Sequence, residues 1–385
     1  MAIEQLLERR ATAIVERDRD AFMATISNAS PAFRARQAQS FRRLSGIPLA
    51  SFRYTVGWDR YGDLARPSDK ARYDRADEVV IPVTEERYRI EGFDPEEAVE
   101  DTFFTYVKTG DGWLIAEDTD LEDLALFTGR HPWDFGSVVS ERSDHFLMLR
   151  HTCDACTPRH DYLGLAEDAL ARAERYWTGP WHKRMVLVVP RNEIELARLI
   201  QSTFDLDNFV AFAYSTVDLA DGVDYTGHRI ILNPAAFEGR SSESMLEILA
   251  HELLHVATRD SAGPFVPIFL DEGFADYVGN DADPDALSFF DAEVAAGVFS
   301  GVLPLDYEFT VGSGTEIFRS YQESQSAVRF FIQRWGLRDF GRLYRDLGRV
   351  RIGPGTARYQ IDRALGEVIG LGYEEFERAW ADSIR

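Results

Sequence analysis

Lysine is nearly absent from this chain. Only Lys70, Lys108 and Lys183 occur among 385 residues, and arginine carries the rest of the positive charge, a compositional bias and not a mechanism. Cysteine is scarcer still. Cys153 and Cys156 stand alone, and two cysteines cannot staple a chain of this size, so a disulfide scaffold is excluded. Positive charge is outnumbered, with 42 Lys+Arg against 65 Asp+Glu and a formal net charge of −23. Nucleic acid and anionic membrane surfaces would be repelled, which argues against both as partners. No apolar run approaches the ~20 residues of a membrane span. The start, Met1-Ala2-Ile3, runs straight into an amphipathic pattern without a signal peptide, so the chain as given reads as soluble. The compartment stays open, cytoplasmic or exported with a leader absent from the sequence.

What the chain does contain is core material: 45% hydrophobic and 12% aromatic residues, enough to exclude wholesale disorder. At roughly 100–200 residues per domain, the length suggests two or three domains. Residues 3–27 read as a helix, because Leu6, Leu7, Ala11, Ile14, Val15, Phe22 and Met23 recur at helical spacing. Pro31 ends that pattern, and a second helix runs to Leu44. Residues 51–58, 78–89, 97–107 and 113–118 then have strand-like content, with Thr109-Gly110-Asp111-Gly112 as a hairpin turn. Helices followed by antiparallel strands predict an α+β unit over 1–130. In element order it resembles the nuclear-transport-factor-like cone, a curved sheet wrapped on helices, which implies a ligand-binding or regulatory domain. After a connector, a second domain is expected over 137–385. It reads as strands at 146–151, 185–189, 209–214 and 229–232, helices at 162–177 and 193–203, and a mostly helical C-terminal half.

Chemistry concentrates in His251-Glu252-Leu253-Leu254-His255, inside a helix predicted over 242–258. Serines at its start suit an N-cap, and Met245, Leu246, Leu249 and Leu253 form its apolar stripe. Positions i and i+4 share one face, so His251 and His255 can present two imidazole nitrogens to one zinc ion. Glu252 lies ~100° around the helix, beside the metal without ligating it, where a carboxylate can take a proton from water. By chance this pentapeptide arises in roughly one chain in a hundred, so a second signal is needed. It follows at Asp271-Glu272-Gly273-Phe274-Ala275-Asp276. Catalytic zinc takes three protein ligands and an open position, and Glu272 on an opposing helix supplies the third. Asp276, one turn on, is placed to accept the outer N–H of a ligating histidine. Gly273 is expected to let the two helices approach, and Pro264 with Pro267 marks the loop between them.

With both motifs present, the sequence resembles the gluzincin clan of zinc metallopeptidases, which includes thermolysin and the metallo-aminopeptidases. The resemblance implies a zincin-like domain with Zn2+ held by His251, His255 and Glu272, Glu252 as general base, Asp276 behind a histidine, and a peptide or protein substrate. It further implies that Arg229-Ile230-Ile231-Leu232 is an edge strand. Ile230, Ile231 and Leu232 would then pair with the substrate backbone. It also implies a tyrosine that stabilises the oxyanion. Tyr321 is the candidate, ahead of Tyr277 and Tyr307.

The chain departs from particular branches of the clan. It lacks the Gly-x-Met-Glu-Asn signature of the metallo-aminopeptidases and a third histidine in metzincin spacing. Cys153-x-x-Cys156, flanked by His151 and His160, reads as free or loosely paired thiols, a redox pair, a local disulfide or a second metal site. The expected activity is peptide-bond hydrolysis. A zinc-containing binding or scaffold protein, or a latent enzyme covered by its N-terminal domain, is the alternative.

Overall fold

The computed structural model describes residues 2–110, 112–153, 158–202, 206, 209–218, 224–262, 266–348 and 357–384. Asp111, Cys156 and Pro264 lie outside the described residues. The fold is α+β, with small antiparallel and mixed sheets and a helical C-terminal half. The chain forms two compact units, Met1–Arg159 with Arg184–Glu238, and His160–Lys183 with Gly239–Arg385. This division departs from the expected boundary near residue 137. The strands of 138–151 and 185–232 belong with the N-terminal elements, and the helical unit borrows one segment from mid-chain.

The first unit opens with helices α1 (Ile3–Val15), α2 (Arg19–Met23) and α3 (Pro31–Leu44). The single helix expected over 3–27 is broken because Arg17 adopts a left-handed φ of 62°. Its guanidinium fixes the bend by donating to the carbonyls of Leu44 (2.7 Å) and Ile47 (2.9 Å). Asp18 then caps α2, accepting from the Ala21 amide at 2.9 Å. There follow β1 (Leu49–Val56), α4 (Trp58–Tyr61), α5 (Pro67–Arg72), β2 (Glu78–Val80), β3 (Thr84–Ile90), β4 (Ala98–Thr102), β5 (Thr105–Thr109) and β6 (Gly112–Glu117). They form two three-stranded antiparallel sheets, β1-β3-β4 and β2-β5-β6. The strand expected over 78–89 divides at Ile81-Pro82-Val83, where proline has no N–H for a ladder. The one expected over 97–107 divides at Phe103 and Phe104, where the chain passes from one sheet to the other.

Beyond α6 (Pro132–Phe135) come β7 (Val138–Arg142) and β8 (Phe146–His151), then α7 (Tyr162–Tyr176), which belongs to the second unit. The chain returns as β9 (Met185–Val189), α8 (Glu193–Leu199), β10 (Ala211–Asp218), β11 (Asp224–Leu232) and α9 (Pro234–Phe237). The resulting mixed sheet runs β10-β11-β9-β8-β7, with β11, β9 and β8 parallel to one another. One core unites Leu6, Phe33, Tyr106, Leu147 and Val186.

The second unit is helical: α7, α10 (Ser242–Ala262), α11 (Ile268–Gly279), α12 (Ser288–Ala295), α13 (Gly314–Trp335), α14 (Leu337–Gly348), α15 (Ala357–Ile369) and α16 (Tyr373–Ile384). Its core is aromatic. Trp177 packs edge-on to Tyr344 at 5.5 Å and to Phe274 at 6.2 Å, and Trp380 is fully buried with its Nε1 donating to Ser326 Oγ at 3.2 Å. Among the described residues no helix is long and apolar enough to cross a membrane.

Candidate metal centre

Helix α10 starts where the sequence places it. Ser241 Oγ accepts from the Ser244 amide at 3.2 Å, the capping bond that serine favours. Met245, Leu249 and Leu253 are completely buried and anchor one face, which leaves His251 and His255 together on another. Helix α11 runs antiparallel beside it. The packing is close at Gly279, where an added Cβ would stand 2.8 Å from the Glu247 carbonyl oxygen. Gly273, expected to serve this contact, serves a different one. A Cβ there would meet the Ser324 carbonyl oxygen on α13 at 2.5 Å, so this glycine lets α11 approach α13. Arg172 of α7 donates to the Gly279 carbonyl and to Glu243 (2.5 and 2.9 Å), tying α7 to the end of α11 and the start of α10.

Three donor atoms converge between α10 and α11. The Nε2 atoms of His251 and His255 are 3.1 Å apart. Glu272 Oε2 stands 3.3 Å from the first and 3.5 Å from the second. Bonds of about 2.0–2.1 Å at tetrahedral angles place ligand atoms about 3.3 Å apart, so the spacing matches that of a tetrahedral zinc site. These three residues are the group among the described residues whose ligand atoms lie close enough to hold a metal ion.

The outer ring nitrogens are held too. His251 Nδ1 is 2.9 Å from Asp276 Oδ1, as the sequence predicts. His255 Nδ1 is 3.1 Å from Asp271 Oδ1, a partner the sequence reading missed. With each Nδ1–H donated to a carboxylate, both Nε2 lone pairs point at each other and at Glu272. Three acceptors in such proximity repel unless a cation lies among them. Protons meet that need when no metal does. Burial works against charged imidazoles, yet Asp271 and Glu272 outweigh it and push His255 up to about 9. Asp276 and Glu272 likewise hold His251 well above its ordinary value. Burial would raise Glu272, but the two imidazoles keep it far below the usual carboxylate range. Tyr344 donates its hydroxyl to Asp271 Oδ1 and so anchors the carboxylate behind His255.

The centre is open to solvent on one side, with the side chains of His251 and Glu272 exposed by 16% and 21%. Glu252 is buried close enough for its charge to act on both His251 and Tyr321. Burial, with the charges of Glu272, Asp276, Glu252 and Asp271, holds the Tyr321 hydroxyl in its protonated form. Its two competitors are differently engaged. Tyr277 packs against Tyr176 and lies under Arg329, and Tyr307 is 59% exposed.

The edge strand is a correction. β11 is interior, paired with β9 on one side and β10 on the other, so the backbone of Ile230, Ile231 and Leu232 is committed within the sheet. All three side chains are buried as well. At the cysteine pair, Cys153 is disulfide-bonded, Cys156 lies outside the described residues, and the flanking histidines are used elsewhere. His151 Nε2 meets Glu195 at 2.6 Å in the first unit, and His160 Nδ1 meets Ser242 Oγ at 3.4 Å in the second.

No protein-family model matches the chain, and a search of curated proteins found no match.

Proposed function

We propose that the second unit is a zinc-dependent peptidase. The observation that carries this reading is the tetrahedral spacing of His251 Nε2, His255 Nε2 and Glu272 Oε2, 3.1–3.5 Å apart with one side reaching solvent. Zinc held there supplies Lewis acidity toward a carbonyl and makes a bound water acidic near neutral pH. Everything else falls to the chain's own groups. Asp276 and Asp271 fix the imidazoles in the tautomer that offers Nε2. Glu252, one residue past His251, takes the proton of the attacking water and returns it to the leaving amine. Tyr321 keeps its hydroxyl proton and can donate it as a hydrogen bond to the oxyanion of the tetrahedral intermediate.

The test is Glu252→Gln, read against a mixed peptide library. The variant should keep its fold and metal and lose turnover by a factor of about 10²–10⁴, the usual contribution of a positioned base. Cleavage at the wild-type rate would refute the assignment.

A further inference from the structure

Charge around the metal centre is lopsided. From Arg259 to Arg319 the chain contains no lysine or arginine, while twelve Asp and Glu residues fall between them. That stretch includes the whole of α11, with Asp271, Glu272 and Asp276, and the segment leading into α13. A divalent ion would offset two of the carboxylate charges, and arginines outside the stretch meet two more, Arg175 at Asp281 (2.7 Å) and Arg319 at Glu293 (2.6 Å), so the stretch keeps a net acidic character. The same segment is apolar at its surface. Among the described residues, six of the thirteen exposed large hydrophobics lie in 298–318, including Leu305 (54%), Tyr307 (59%), Val311 (65%) and Phe318 (48%).

This segment borders the catalytic side of α13. Its short 3-10 turn, Asp306–Phe309, packs on α11 and α13. The Phe309 ring meets that of Tyr321 edge-on at 5.3 Å, and Ser320 Oγ donates to the Glu308 carbonyl at 3.3 Å. An apolar surface interleaved with Asp306, Glu308 and Glu316 thus begins beside Tyr321, next to a turn that packs on α11, the helix carrying Asp271, Glu272 and Asp276. Bulky apolar side chains cover such a surface, and lysine or arginine side chains answer its field.

We infer that the centre acts on cationic peptides carrying bulky apolar side chains, with the 298–318 segment as their docking surface. The inference rests on the peptidase reading, and binding separates the two. Fluorescent peptides of equal length, matched except for Lys against Glu at flanking positions, are titrated into zinc-loaded Glu252→Gln protein. The Lys peptides should bind more tightly by about tenfold or more at low salt, the margin shrinking as salt rises. Leu305→Ser with Val311→Ser, both at exposed positions, should weaken that binding and, in the active enzyme, raise KM with kcat unchanged. Equal affinity for Lys and Glu peptides, or no effect of the double substitution, would overturn the inference. Selective binding without cleavage by the wild-type protein would leave the docking surface standing and end the peptidase reading instead.

Discussion

His255 and Asp271 meet at 3.1 Å across two antiparallel helices, one turn from the matching pair of His251 and Asp276 at 2.9 Å. Moving four residues forward on α10 moves the carboxylate partner five residues back on α11. Each imidazole thereby has its own acid behind it, and Glu272 lies between the two pairs. This arrangement aims the inner nitrogens of both rings toward Glu272.

On the proposed reading, Asp271 positions His255 for zinc. Asp271→Asn keeps the size of the side chain but removes the charge that orients His255 and raises its basicity. Zinc affinity should fall by about 10–100-fold, as measured by competition with a calibrated chelator. Tyr344→Phe, which removes only the hydroxyl donated to Asp271, should lower it less. Wild-type affinity in Asp271→Asn would show that the contact is incidental.

At the proposed site, zinc would compete with protons for the same nitrogens. The raised pKa of His255, about 9 in the metal-free protein, means that zinc must displace protons at neutral pH. Apparent affinity should rise steadily from pH 6 to 9, with protons released to a weakly buffered indicator. Stability of the metal-free unit should run the other way. A histidine whose folded value is raised stabilises fully below its ordinary 6.5 and loses that contribution as pH climbs through 9. Affinity flat over this range would contradict the charge account.

Gly273 should be intolerant of a side chain. In Gly273→Ala the new Cβ would meet the Ser324 carbonyl oxygen at 2.5 Å and force α11 away from α13. A cost of about 1–3 kcal/mol in denaturant unfolding is expected, with weaker zinc binding because Glu272 is the adjacent residue. An unchanged midpoint would show that the two helices can separate freely there.

A separate prediction concerns the first unit. Burial pushes Glu100 up to about 7, opposed by the charge of His131 and reinforced by that of Glu86, while the Tyr214 hydroxyl donates to it at 3.3 Å. Its folded value is raised from the ordinary 4.5, so its contribution is present in full below pH 4.5 and lost as pH rises through 7. Glu100→Gln removes the buried charge. It should stabilise the unit by about 1–3 kcal/mol at pH 8 and by little at pH 5, measured by denaturant titration. Destabilisation at pH 8 would mean that the ionised carboxylate is well accommodated.

Legibility in the sequence followed the range of the interactions. The neighbourhood of His251, His255, Glu272 and Asp276 could be read because helical periodicity fixes which side chains share a face on each helix. Asp271 could not be assigned, since its partner depends on the register between two helices, which no local pattern encodes. A signal was present all the same, a second carboxylate immediately before Glu272. The misread strand β11 carried a warning as well: Ile230, Ile231 and Leu232 are consecutive apolar residues, a pattern that suits a strand buried on both faces better than an exposed edge. The break at Arg17 was hidden because the apolar spacing continues through it. The division into units was hidden for a topological reason, as the helical unit takes 160–183 from between two strands of the other.

The central claim is that His251, His255 and Glu272 hold one divalent ion together. Calorimetric titration of zinc into chelator-stripped protein at neutral pH tests it most directly. The wild-type chain should bind one zinc per molecule, and His255→Ala or Glu272→Ala should abolish that site while the helical signal in circular dichroism stays intact. Stoichiometric zinc binding that survives both substitutions, or no zinc bound by the wild-type chain, would contradict the account.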